Sequence, residues 1–219
     1  MSMISSWYGI FVTLVLLSSL LVAWIIIWRY AVRRRALPCP EWLTPLLENP
    51  YMEYFAGSSL LLDRAGVQRG MNVLDVGCGP GRLAIPAAKR VGPSGRVLAM
   101  DVQQNMLRRV EERMRKHGVT NIRLVHAGAG EGSLEQQAFD RAFLVTVLGE
   151  IPSRAEALRE IHAALKDGGI LSITEVLPDP HYQRQASVRA LAGGIGFAVD
   201  EVFEMFLAYT MNLRKGSAA

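Results

Sequence analysis

Asp75, Gly77, Gly79, Gly81 and Asp101 form a set suited to holding a nucleotide. Asp75 sits in the apolar run Val73-Leu74-Asp75-Val76, and the three glycines follow on alternate positions. A run of this length fits a buried parallel strand, and glycines, lacking Cβ, let the backbone turn tightly and come close to a ligand. Residues 82–90 then read as a helix. Strand, glycine turn and helix make half of a βαβ unit, whose ligand lies beyond the carboxyl end of the strand. Asp101 closes a second apolar run, Arg96-Val-Leu-Ala-Met-Asp101.

The spacing Gly77-x-Gly79-x-Gly81 departs from the Gly-x-Gly-x-x-Gly of dinucleotide enzymes, whose third glycine serves helix packing, and so argues against NAD. With Asp75 and Asp101 it resembles the class I S-adenosylmethionine-dependent methyltransferases. Two later stretches resemble the same family in the expected order. Phe139-Asp140 through Gly149-Glu150-Ile151-Pro152 is similar to its fourth strand, and Leu165 through Gly168-Gly169 to Glu175 is similar to its turn into the fifth. The resemblance covers about residues 50–214 and is closest to the small-molecule branch that includes quinone-biosynthesis enzymes.

That resemblance implies S-adenosylmethionine as cofactor and assigns roles along the chain. Gly77, Cys78, Gly79 and Gly81 lie against the amino-acid and ribose portions, Asp75 holds the amino end, and Asp101 accepts from the ribose hydroxyls. Val102 and Met106 flank the adenine. The alternatives are that Asp75 caps the next helix, that Asp101 opens the turn to Gln103, that Met106 belongs to a core face and that Cys78 is only a small packing residue. Where the family often carries an acid for the adenine amino group, the run is His126-Ala127-Gly128-Ala129-Gly130-Glu131, with Ala129 at that position. Adenine recognition then falls to backbone groups or to Glu131. On the acceptor side, Glu150 and His181 are the candidate proton-transfer groups, against helix capping for Glu150 and a packing role for His181. Tyr51, Tyr54, Phe55 and Tyr182 are candidates for lining the acceptor pocket.

The elements expected to position these residues alternate: strand 72–76, helix 82–90, strand 96–100, helix 103–117, strand 122–125, strand 140–146, helix 153–166 and strand 169–176. This is an α/β, doubly wound, Rossmann-like order with a mostly parallel sheet. A helix over 183–192 and an antiparallel hairpin from segments 198–204 and 206–213 would end it, as is typical of the family. A short helix over 58–65 and a turn over 66–70 precede the first strand.

Before that domain lies a different kind of segment. Residues 7–28, WYGIFVTLVLLSSLLVAWIIIW, carry no ionisable group except Tyr8. About 20 apolar residues suffice to cross a bilayer as a helix, and Trp7, Tyr8, Trp24, Trp28 and Tyr30 suit the two interfaces. A cleaved signal peptide would show a basic amino end, a shorter apolar stretch and small residues at a cleavage site. Arg29, Arg33, Arg34 and Arg35 follow the span, so the positive-inside rule places the catalytic domain in the cytoplasm. The expected organisation is a single-pass anchor over 1–35, a proline-punctuated connecting or lid segment over 36–70, and a methyltransferase domain over 71–215.

Composition narrows the remaining choices. At 219 residues and 50% hydrophobic content, the chain has room for one α/β core. Cys39 and Cys78 are its two cysteines, far apart, and neither a disulfide framework nor a metal site is expected. The net charge of +4 does not form a nucleic-acid face, because the basic residues beyond 35 are interleaved with acids, as in Arg108, Arg109, Glu111, Glu112, Arg113. The expected activity is a membrane-anchored methyltransferase acting on a lipophilic acceptor, a lipid headgroup, quinone precursor, thiol or phenol, with the bilayer itself as partner. A non-catalytic cofactor-binding scaffold and an RNA methyltransferase are the competing readings.

Overall fold

The computed structural model describes residues 11–24, 26–27, 50–177 and 179–216. Its centre is a seven-stranded sheet in the order β3-β2-β1-β4-β5-β7-β6. The strands are β1 (Asn72–Val76), β2 (Arg96–Asp101), β3 (Ile122–His126), β4 (Phe139–Val145), β5 (Leu165–Val176), β6 (Phe197–Met205) and β7 (Ala208–Lys215). β1 to β5 pair in parallel, while β7 runs antiparallel to both β5 and β6. The helices are α1 (Pro50–Ala56), α2 (Ser58–Arg64), α3 (Ala84–Val91), α4 (Gln104–His117), α5 (Arg154–Ala164) and α6 (Gln185–Gly193).

Strand periodicity of two divides the core into two layers. Val73, Val97 and Ala99 face one layer with Leu61 and Leu62 of α2 and Ala84, Ala87 and Ala88 of α3. Leu74, Val76, Leu98 and Met100 face the other, with Leu158 and Ile161 of α5 and Val188 of α6. Helices on both faces explain why the central strands read as nearly unbroken apolar runs. By the same parity, Asp75 shares the face of Val73, toward α2 and α3. Order reverses between β1 and β4, and the crevice beyond their carboxyl ends is where such sheets bind ligands.

Expected and observed elements differ mainly at their ends. The helix expected from 82 begins at Ala84, because Gly81 to Leu83 form a turn. The helix expected over 153–166 stops at Ala164, and Leu165 already pairs with Phe139 in β5, four residues before the expected strand start. The Ala138 N–H donates to the Ala164 carbonyl at 2.8 Å, and Lys215 Nζ donates to the Leu165 carbonyl at 2.7 Å, so sheet pairing claims this chain before the helix can extend. The last helix begins at Gln185 rather than 183.

At the amino end, residues 11–24 and 26–27 are helical and exposed on every side. Ser18 and Ser19 both donate their hydroxyls to the Val15 carbonyl at 2.8 Å, which satisfies them inside the helix. Among the described residues, no helix is long and apolar enough to cross a membrane. The span expected over 7–28 extends beyond them: 7–10, 25 and 28 lie outside, as do Arg29 and Arg33 to Arg35.

Candidate cofactor and acceptor site

The cleft at the reversal point is lined by Asp75, Gly77, Cys78, Gly79 and Arg82 from the first turn, by Val145 and Thr146 from β4, and by Ala56, Ser58 and Leu61 from α1 and α2. The space it encloses, open mouth included, is about 530 Å³. Two glycines shape it. A Cβ on Gly77 would meet Val147 Cγ2 at 2.6 Å, so only glycine lets the turns after β1 and β4 approach. Gly79, at φ +51°, has nothing within 4 Å of its Cβ position and presents bare backbone to open space.

Asp101 organises this turn from the neighbouring strand. Its Oδ2 accepts the Gly79 N–H at 2.9 Å and its Oδ1 accepts the Gln103 N–H at 2.8 Å. The expected turn-opening role at Gln103 is therefore present, together with a second bond into the glycine turn. Each carboxylate oxygen has further acceptor capacity, so these bonds leave room for a pair of hydroxyls. Burial raises the Asp101 pKa, opposed by the same two N–H groups.

Asp75 is almost fully buried, and its Oδ2 has no hydrogen-bond partner among the described residues. Burial, with the Asp101 charge nearby, pushes its pKa up to about 7, against the pull of Arg82 and of the Ala84 N–H. The orphaned oxygen beside bare glycine backbone is the fit for a cationic ammonium group: a buried acceptor gains most from a charged donor. Cys78 is buried, its N–H donates to the Met100 carbonyl at 2.9 Å, and burial followed by Asp75 and Asp101 drives its thiol pKa upward. It packs and lines the cleft as an unreactive thiol.

The turns beyond β2 and β3 form the far end. Val102 is exposed, and its carbonyl lies 2.9 Å from His126 Nε2. Met106 is buried on the inner side of α4, the core-face alternative. Ala129 packs on the layer beneath α5, and Glu160 of α5 accepts the N–H groups of Gly130 and, at 2.9 Å, Leu134. Held in this way, the loop brings Glu131 against Gly128: a Cβ there would stand 2.6 Å from Glu131 Oε1 and 3.5 Å from Val102 Cγ1. The Glu131 carboxylate and the Val102 side chain thus both border Gly128, and the acid at this turn is Glu131 rather than position 129.

At the acceptor end, the turns after β4 and β5 are in contact. A Cβ on Gly149 would stand 1.9 Å from the His181 carbonyl oxygen and 2.8 Å from Gln183 Nε2. Glu150, in a 3₁₀ turn over Leu148–Glu150, and buried His181 thus lie on turns that touch through Gly149, and neither side chain lines the cleft. Tyr182 stacks edge-on with Tyr209, centroids 6.0 Å apart. Phe55 is in the core and Tyr54 is exposed; neither lines the cleft, whereas Ala56 and Ser58 do. The side chain of Tyr51 lies outside the described residues.

Glu175 is the residue to which sequence gave no role. It is buried at the end of β5, Oε2 accepts the Gln183 N–H at 3.0 Å, and Oε1 has no partner among the described residues. Tyr209 grips the same residue by donating to the Gln183 carbonyl at 2.8 Å. Burial pushes the Glu175 pKa up to about 8; Asp179 and Glu150 add to the rise, and the Gln183 N–H and Arg154 oppose it. Its signal was a lone acid closing the apolar run Ile170 to Ile173 and Thr174. Thr146 was also missed: it lines the cleft at φ 56°, a left-handed conformation uncommon outside glycine.

A mostly parallel sheet of this order with an antiparallel final hairpin, a glycine turn after β1 and an acid closing β2 defines the class I S-adenosylmethionine-dependent methyltransferase fold. Residues 67–196, more than half of the chain, match the sequence model of a family described as a methyltransferase domain, and the chain belongs to that family. It is 34% identical over 110 residues to the demethylmenaquinone methyltransferase of Geobacillus stearothermophilus, covering 50% of this chain and 47% of that protein. The chain spans about half the length of the curated relatives it matches. Among solved structures, a SAM-dependent methyltransferase from Aquifex aeolicus superposes with a TM-score of 0.72 at 24% identity, covering 78% of this chain and 95% of that one. Phosphoethanolamine N-methyltransferase 2 from Haemonchus contortus, in complex with phosphomonomethylethanolamine and S-adenosylhomocysteine, superposes at 0.60 and 26% identity, over 68% and 38%.

Three outcomes follow from this geometry. Asp101→Ala removes two charge-assisted acceptors and the cofactor's diol partner together, and S-adenosylhomocysteine affinity by calorimetry should fall about 100-fold. Because the empty Asp75 carboxyl is raised to about 7, S-adenosylmethionine affinity should climb as pH rises toward neutrality and level off above it, with proton release on binding; Asp75→Asn should flatten that profile. Glu175 stays protonated in the folded chain while its unfolded form ionises above about 4.5, so the folded state loses stability as pH rises from there to about 8 and no further. Glu175→Gln should therefore unfold at higher denaturant than wild type at alkaline pH, by on the order of 2 kcal/mol, and show no advantage at acid pH.

Proposed function

We propose that the protein transfers a methyl group from S-adenosylmethionine to a lipophilic, quinone-like acceptor at a membrane surface. The observation that carries this reading is the likeness to proteins named demethylmenaquinone methyltransferase, which spans about half of this chain. The exposed apolar helix over 11–24 and 26–27 adds the membrane. With the rest of 7–28 it makes a segment long enough to cross a bilayer, and the arginines that follow put the domain on the cytoplasmic side. Tethering confines the domain to a thin layer and raises its effective concentration toward lipid-dissolved acceptors.

When bound, the cofactor supplies a methyl group on a sulfonium sulfur, open to in-line displacement. The chain's own work is to hold, orient and keep dry. Asp75 and the bare backbone of Gly79 hold the amino-acid end, Asp101 the ribose, and Glu131 stands at the adenine end beside Val102. Ala56 of α1 and Ser58 and Leu61 of α2 border the cleft, and water displaced from there by a bound cofactor strengthens each polar contact inside it. Glu150 and His181, on turns that meet at Gly149, are the candidates for taking a proton from the acceptor. Glu175 keeps its proton at neutral pH and clasps the β5 turn through Gln183, so it positions that turn.

Incubating the purified chain with methyl-labelled S-adenosylmethionine and a total membrane extract should place label in the solvent-extractable quinone fraction, and Asp101→Ala should abolish it. Label confined to water-soluble metabolites or to RNA would refute the lipophilic acceptor.

A further inference from the structure

The β6–β7 hairpin closes with a two-residue tip. Met205 pairs with Ala208, so Phe206 and Leu207 form the turn itself. Such tips favour Asn, Asp and Gly, whose backbone freedom or local hydrogen bonds suit the bend. Here two large apolar residues take those places, and Phe206 is 94% exposed. A tip that sets aside turn chemistry and leaves a phenyl ring in water departs from local preference in two ways at once, as functional positions tend to.

The tip has apolar company. The Leu177 N–H donates to the Leu207 carbonyl at 2.7 Å, and Leu177 is itself 46% exposed. Leu207 and Met205 pack on the same layer as Phe55 of α1, against which Tyr54, 68% exposed, stacks edge-on at 4.9 Å. Glu204, the acid nearest the tip in sequence, is engaged by Gln185 Nε2 at 3.0 Å. Phe206, Leu177 and Tyr54 thus stand around the carboxyl end of β5, and the next residues of the same helical pair, Ala56 and Ser58, line the cleft.

We infer that this rim dips into the lipid bilayer and sets the cleft mouth at the membrane surface, where a lipid-dissolved acceptor passes between Phe206 and Tyr54 into the site. The inference rests on the tethered reading above and deepens it. The chain's path favours a bilayer as occupant over a protein. Residues 28–49 join the apolar helix to Pro50, and α1, which starts there, contributes Tyr54 to the rim. The tether therefore enters the domain through the helix that carries part of the exposed apolar surface. Aromatic and aliphatic side chains at such a rim gain by burial at the headgroup and acyl boundary, with a tyrosine hydroxyl suited to its polar edge.

The test uses the full chain in a Cys39→Ser background, Cys78 being buried, with Phe206→Cys carrying an environment-sensitive fluorophore, reconstituted into phosphatidylcholine and phosphatidylglycerol vesicles. Label at 206 should shift to the blue and be quenched several-fold more by doxyl lipids than label on a Glu112→Cys control, an exposed site on α4. A label at 206 as water-accessible as the control overturns the rim. A label shielded from iodide yet untouched by lipid quenchers also overturns it, because a second copy or another protein then covers the tip. A chain that alkaline carbonate strips from the vesicles overturns the tether on which the rim depends, and calorimetry with S-adenosylhomocysteine reports separately on the cofactor site.

Discussion

One carboxylate ties together the two turns on which the site depends. Asp101, at the end of β2, accepts from Gly79 in the turn after β1 and from Gln103 at the start of α4. The turn after β1 is held besides by the Cys78 N–H on the Met100 carbonyl and by the buried Cys78 side chain, while its glycines contribute no side chains that could pack. An ionised acceptor fixes two backbone donors at one point, and charge-assisted bonds of this kind are about twice as strong as neutral ones. The same group is the one expected to meet the ribose, so a single residue would anchor the turn and contact the ligand.

Two further carboxyls are buried at a cost the fold has accepted. Asp75 and Glu175 each keep an oxygen without a partner among the described residues, and burial lifts both pKa values toward neutrality or above. Asp75 opens on the cleft and can regain its loss through a cationic ligand group. Glu175 instead spends one oxygen on Gln183, whose carbonyl is gripped by Tyr209, and so stiffens the turn that faces Gly149. Buried polar groups that are only partly satisfied concentrate where a ligand completes them or where a loop must be held in one place. Both circumstances occur within this one crevice.

Much of this was legible from residue order. Glycine spacing, the acid at 101 and the alternation of apolar runs located the cofactor end and the parallel sheet, because those features are local: a strand, a turn and a helix reveal themselves within about 30 residues. The absent acid at 129 was legible too, and Glu131 was one of the two replacements the sequence offered. What residue order did not carry is that Glu160, on α5, holds this loop by the N–H groups of Gly130 and Leu134, with Glu131 turned back against Gly128. Element ends were misplaced where pairing overrode propensity, as at Leu165, claimed by Phe139.

By itself the sequence determined the class of cofactor, the alternation of strands and helices in the parallel half and the apolar character of the amino-terminal segment, since each is written in periodicity and in residues a few positions apart. Only the tertiary structure decided that the turns carrying Glu150 and His181 touch at Gly149, that Glu175 is buried, that Tyr54 faces out while Phe55 faces in, and that Phe206 stands at a bare hairpin tip beside Leu177. These are contacts between elements whose distance in sequence carries no record of their distance in space. Burial and charge around each group follow from that packing, and with them its protonation and what it can bind.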